Sequence, residues 1–316
     1  MSAPLRLEEK PTMLDPKSLY TFTGEVPGLE APVLVHALSG FMDAGHAGSG
    51  LSDHLLANFE HEVIARFDVD LLLDYRARRP ELRFVEDHFE GYAAPELVLR
   101  LVLDAQGVPF LFLTGPEPDV MWERFVAAVI GLVEQLGVRL TIGLHGIPMA
   151  VPHTRPLGVT MHGTRKDLVT VVNPWRGEIK VPSSISSLLE LRLGERGHDA
   201  LGVVAHVPHY LSEAEYPDAS LVLLRSLEAA TGLELPAGPL ARVAEQARTL
   251  IQQQVEQSEE VGRVVEALET QYDAFTGARG RGLLVDSASM PTADEIGAEF
   301  ERFLAGLDGD DEPSEQ

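Results

Sequence analysis

The sequence predicts an α/β fold, a mixed, mostly parallel sheet flanked by helices, followed by an α-helical C-terminal section. Three observations carry that reading. Several short apolar runs are continuous rather than alternating, as in strands covered on both faces. Segments with apolar residues at helical spacing lie between them, the order expected of strands joined by crossover helices. After about Pro217 the strand-like runs stop and only helical stripes remain.

Residues 1–31 are rich in proline and charge and read as an irregular N-terminal arm. The run 33–38 is a covered strand. It leads through Ser39, Gly40, Phe41, Met42, Asp43 and Gly45 into a helix carrying Leu51, Leu55, Leu56 and Phe59. Further strands are expected at 62–67, 82–85, 97–103 and 109–113. The clearest helix is 119–136, because Trp122, Phe125, Val126, Val129, Ile130 and Val133 fall on one face; Asp119 reads as its N-cap. Strands at 139–144 and 158–162 come next. Ser183 then opens a helix that buries Ile185, Leu188, Leu189 and Leu191 or Leu193 and ends near Gly194 or Gly197. A strand at 201–207 is stopped by Pro208. The α/β domain is read as 32–235.

A helical section, 236–307, follows. Leu221, Leu224 and Leu227 already mark one helix at the boundary. Leu240, Val243, Ala247, Leu250 and Ile251 mark the next, and Val261, Val264, Val265, Leu268, Tyr272 and Phe275 a third. The last helix has a capping box at 292–295, with Ile296, Phe300, Phe303 and Leu304 behind it. Such stripes serve as core or as subunit interface. The tail 308–316 is charged and reads as disordered.

Charge narrows the partners. With 49 acidic against 25 basic residues the net charge is −24, which repels nucleic acid and anionic lipid, since both require a basic patch. The longest apolar run, 125–133, is far shorter than the ~20 residues that span a bilayer. Residues 1–10 carry Glu8 and Glu9 and no apolar stretch, so no signal peptide is expected and the cytoplasm is the expected location. The chain has no cysteine, which excludes disulfides, thiolate nucleophiles and sulfur-ligated zinc. Neither a cofactor nor a metal is expected.

The motifs are suggestive without being complete. Gly40 to Gly50 lies between a strand and a helix, where phosphates are often cradled, but it matches neither a P-loop nor a dinucleotide fingerprint. The loop Thr114, Gly115, Pro116, Glu117 sits at another strand end, where ligands bind in open α/β sheets. His145, His153 with Arg155, His162 and His206 also come at strand ends, and several imidazoles near one edge suit acid–base work. The spacing lacks a His-Glu-x-x-His pair, and Pro208 prevents helical alignment of His206 and His209. No Gly-x-Ser-x-Gly elbow occurs, and capping accounts for Ser183 and Ser184.

Taken together, three stretches carry a resemblance. They are Gly40-Phe41-Met42-Asp43-Ala44-Gly45; His145-Gly146-Ile147-Pro148 through Pro152-His153-Thr154-Arg155-Pro156; and Pro182-Ser183-Ser184 with residues 203–210. With Leu268-Glu269, Tyr272-Asp273 and the 290–294 segment, the chain resembles the proteasome assembly chaperone 2 family in its actinobacterial branch, over roughly residues 30–305. The resemblance implies a fold similar to purine nucleoside phosphorylases and related hydrolases, and self-association. Eukaryotic and archaeal relatives assist assembly of proteasome α-rings through a C-terminal hydrophobic–tyrosine–any-residue tail. This sequence closes on Glu312-Pro313-Ser314-Glu315-Gln316, so docking by that tail is not expected.

Two functions follow as expectations. One is a non-catalytic protein-binding or assembly factor, a homo-oligomer with proteasome subunits or another protein as partner. The other is a small-molecule enzyme or sensor for a nucleoside or an anion. Its cleft would draw on Gly40, Phe41, Met42, Asp43 and Gly45, on Thr114, Gly115 and Glu117, and on His145, His153, His162 and His206, with Arg155 holding the anionic group.

Overall fold

The computed structural model describes residues 14–24, 28–40, 42–171 and 178–281. Phe41, the expected helix at 292–304 and the tail 308–316 lie outside the described residues. In chain order the first elements are β1 (Tyr20–Phe22), β2 (Val33–Ser39), α1 (Ala47–Asn58) and β3 (His61–Phe67). A hairpin of β4 (Leu82–Val85) and β5 (His88–Tyr92) precedes β6 (Val98–Leu103), β7 (Pro109–Pro116) and α2 (Trp122–Gln135). Then come β8 (Leu140–Met149), β9 (Val159–Gly163), α3 (Ile185–Glu195) and β10 (Ala200–Pro208). Three helices close the described chain: α4 (Pro217–Thr231), α5 (Gly238–Glu256) and α6 (Glu259–Arg281). The chain divides into two compact units, Met1–Glu269 and Thr270–Gln316, and of the second the described part is the end of α6.

Eight strands form one sheet in the order β1-β3-β6-β7-β2-β8-β10-β9. Its centre is parallel: β7, β2, β8 and β10 run the same way. Antiparallel strands extend it on both sides, β9 on one and β6, β3 and β1 on the other. This is the mixed α/β sheet the continuous apolar runs predict. β1 lies inside the stretch read as an arm; it has three residues, too few to show an alternation.

Alternation along the strands sends side chains to two layers. Val33, Val35 and Ala37 of β2 and Val203, Ala205 and Val207 of β10 join α1, α4 and the start of α5 in one core. Leu34 of β2 and Leu111 and Leu113 of β7 join α2 and α3 in the other. Burying each such valine or leucine contributes about 1.5–3 kcal/mol, so the two layers dominate stability. Backbone approach is close where α1 begins. Gly45 has φ +64 and its N–H donates to Ser212 O at 2.7 Å, while Tyr216 N–H donates to Gly45 O at 2.9 Å.

One expectation about a helix needs correction. Asp119 does not cap α2, which begins three residues later at Trp122, with Met121 in a left-handed conformation at the cap. Asp119 is instead engaged by the 74–78 turn: it accepts from Asp74 N–H at 2.8 Å and pairs with Arg78 at 2.9 Å. In α5, Leu240 and Ala244 are buried, whereas Val243 and Leu250 of the expected stripe are 51% and 61% exposed. Ser184 caps α3, with its side chain accepting from Ser187 N–H in a capping box. Among the described residues no helix is long and apolar enough to cross a membrane.

Candidate functional site

The site rests on strand register. β2, β8, β10 and β9 are adjacent, and His36 is opposite Gly143, Gly143 opposite Gly202, and Gly202 opposite His162. One step along the same face, His145 is opposite Val204, and Val204 opposite Thr160. A side chain on either glycine would collide with an imidazole: a Cβ on Gly143 would lie 2.7 Å from the His36 ring, and one on Gly202 would run into the ring of His162. Glycine inside a strand here does what it often does, admitting a neighbour close to the backbone. Two histidines thus lie across the sheet from opposite sides, with His145 beside them.

Above this row is a cleft of about 370 Å³, at the small end of the usual range for ligand sites. α3 and the residues before it form its wall, with Ile179 and Val181 contributing apolar surface. Met42 and Glu117 close one end. Glu117 is buried, and its carboxylate accepts from Ile185 N–H at 2.6 Å, holding the first turn of α3 to the end of β7. At the other end His162 Nδ1 meets the Glu190 carboxylate of α3 at 2.8 Å.

The imidazoles divide by environment. Burial, with neighbouring His145 adding to it, pushes His36 down to about 4. Burial and then the charge of His162 likewise lower His145 to about 4. His162 is raised, because the hydrogen bond to Glu190 favours its charged form. At neutral pH the row therefore holds two neutral imidazoles and one that readily carries a proton. His36 is 3% exposed, and its Nδ1 has no hydrogen-bond partner; neither has the buried hydroxyl of Thr141 in the same cleft. Buried polar atoms are ordinarily paired with protein or water, and these two, on one cleft floor, have no partner within the protein.

The structure sorts the sequence-predicted residues into separate places. Met42, Glu117, His145 and His162 come together, joined by His36 and Glu190, which the sequence reading did not single out. Gly40 lies against the Glu117 side chain. His206 is one step removed: its Nε2 is 2.8 Å from the hydroxyl of Thr160, which lines the cleft. Asp43 faces α1, accepting from Gly48 N–H at 2.7 Å and from Ser49 N–H at 3.0 Å. The helix donors a phosphate would use are thus already bound to a carboxylate of the chain itself. Thr114 and Gly115 line a smaller crevice with Asp43, and Gly45 makes the turn described above. His153 and Arg155 lie by α4 and α5, where His153 Nδ1 contacts Tyr210 Oη at 2.7 Å and Arg155 pairs with Glu269 at 3.1 Å. Among the described residues no group of three could hold a metal ion.

The comparisons bear on the same region. The family model described as the PAC2 family matches residues 37–255. A Mycobacterium tuberculosis protein of unknown function, Rv2714, is 45% identical; the match covers 88% of this chain and 96% of that one, with a TM-score of 0.82. A Corynebacterium glutamicum protein of unknown function is 41% identical over 81% of this chain and 97% of that one, with a TM-score of 0.78. The Mycobacterium tuberculosis proteasome-assembly chaperone homologue Rv2125 is 25% identical over 74% of this chain and 99% of that one, with a TM-score of 0.68. Among curated proteins no match was found.

Proposed function

The chain belongs to the PAC2 family, and from that premise we propose that it is a cytoplasmic, non-catalytic assembly factor that binds proteasome subunits. The likeness to a proteasome-assembly chaperone homologue supports this. The structural observation that carries it is the β4–β5 hairpin. This pair forms a two-stranded sheet apart from the main one, and its Phe84 and Phe89 are 58% and 65% exposed. Their rings pack on each other with centroids 5.0 Å apart, and Leu82 and Tyr92 are exposed beside them. Exposed, clustered aromatic residues mark protein-binding surfaces, where such anchors supply most of the energy. The exposed Val243 and Leu250 of α5 support self-association in the same way.

The test is affinity purification of the tagged protein from its own cells at low salt, which preserves contacts made by an acidic surface. Enrichment of proteasome α-subunits, lost in the Phe84→Ser/Phe89→Ser double variant, is the expected result. Recovery of the chain with only itself would count against assembly work and for self-association alone.

A second reading is a small-molecule enzyme or sensor, favoured by the cleft over His36, His145 and His162. Its anion-binding form loses support, since among the described residues no lysine or arginine lines that cleft and Arg155 lies elsewhere.

A further inference from the structure

The cleft's lining restricts what can occupy it, and the restriction deepens the small-molecule reading on which it rests. Among the described residues no lysine or arginine lines the cleft, and the one imidazole that favours its charged form, His162, is already paired with Glu190. The two carboxylates are engaged within the protein, Glu117 by Ile185 N–H and Glu190 by His162, so a cation would have to compete with both. Bringing a charged ligand into such a place costs its hydration, and the charges there are already engaged with one another or with the backbone. What the floor does offer is polar but uncharged. His36 Nδ1 and Thr141 Oγ1 are buried and unpartnered, and a neutral imidazole presents one accepting nitrogen. The walls add apolar surface from Met42, Ile179 and Val181.

We infer that this cleft binds a small uncharged organic molecule, which presents an O–H or N–H to His36 and His145 and lays its apolar part against Met42, Ile179 and Val181. The floor is built for this purpose at a cost to the sheet. Glycine weakens a strand interior, yet Gly143 and Gly202 both stand in central strands, where any side chain would displace the histidines. Burial also keeps His36 and His145 neutral acceptors throughout the physiological range. The ligand gains the partners that those buried atoms lack, and recognition then discriminates strongly against an analogue without the donor.

Matched pairs of probes test the charge and the donor separately. Benzyl alcohol and indole-3-carboxamide are titrated into the full chain beside benzyl phosphate and indole-3-carboxylate. Binding is read from the imidazole ¹⁵N signals of histidine-labelled protein and from calorimetry. The expected result is that the uncharged members move the His36 and His145 signals and the anionic members do not. His145→Phe then weakens binding about tenfold, as loss of one acceptor to a buried donor should. Ser186→Phe, on the helix forming the wall, blocks entry without touching the floor and serves should His145→Phe fail to fold. Anionic members that move the same signals as strongly would overturn the uncharged class while leaving a small-molecule site standing. If no probe of either kind moves a cleft histidine, both the inference and the small-molecule reading fall, and the assembly proposal is unaffected.

Discussion

The two faces of the central sheet are made by the same strands and differ completely in what they do. In β8, Leu140, Ile142 and Leu144 point into the layer of α1 and α4, while Thr141, Gly143 and His145 line the cleft under α3. In β10, Val203 and Ala205 face the packed side, and Gly202 and Val204 the cleft. On β8 and β10 one face is packed almost wholly with hydrocarbon; on the other, packing gives way beneath α3 to imidazoles bedded on glycine, while its remainder forms the second core. The comparison teaches that a strand reading as a uniform apolar run can carry a site, provided its interruptions, here glycine and histidine, recur at a period of two.

Substitutions break this comparison in graded ways. The largest loss is expected on the packed face, where Leu144→Ala leaves a cavity and destabilises by about 2–5 kcal/mol in urea unfolding. A smaller loss, about 1–3 kcal/mol, is expected for Gly202→Ala, because the new methyl collides with the His162 ring and displaces it from Glu190. That cost is relieved in the Gly202→Ala/His162→Ala double variant. Two independent, additive losses would show that the ring does not depend on the glycine.

The pH dependence sharpens the contrast within the cleft face itself. The folded-state value of His36 is lowered to about 4 against an ordinary 6.5, so the unfolded chain binds more protons between these values. Stability therefore rises with pH across that window, and His36→Leu flattens the rise. His162 has the opposite sign. Its folded value is raised, so its contribution is fully present below about 6.5 and is lost as pH climbs through the folded value. His162→Gln removes that alkaline loss. Urea midpoints measured from pH 4 upward separate the two, and identical profiles for both variants would refute the assignment. The smallest effect is expected for Thr141→Val. Replacing an unpartnered buried hydroxyl by a methyl leaves stability within about 0.5 kcal/mol or raises it, in contrast to Leu144→Ala on the packed face of the same strand.

Much of the architecture was legible in the residues themselves. Strands at 33–38, 82–85 and 201–207, the helix bearing Phe125 to Val133, and the change to helices after Pro217 are all local in origin. They rest on apolar spacing and on start and stop residues, which act over a single turn or pleat. β5 escaped notice because His88, Glu90 and Gly91 interrupt any alternation, and all five of its side chains are exposed, leaving no buried face to mark it. The site was only half legible. His145 and His162 stood out as strand-end polar residues, but His36 was concealed within an apolar run and Glu190 within an ordinary amphipathic helix. The available signal was Gly143 and Gly202, glycines inside strands, which mark close approach without saying what approaches.

The sequence by itself determined the class of fold, the acidic surface, the exclusion of cysteine chemistry and the identity of the histidines available. Only the tertiary structure decided which of them meet. His153 and Arg155 are close to His145 in sequence yet lie beside α4, while His36 and His162, far apart in sequence, are bridged by two glycines across four strands. The reason is physical. Spacing along a chain governs contacts only within one element, whereas contact between strands is set by order and register, and those are chosen by packing of the whole sheet.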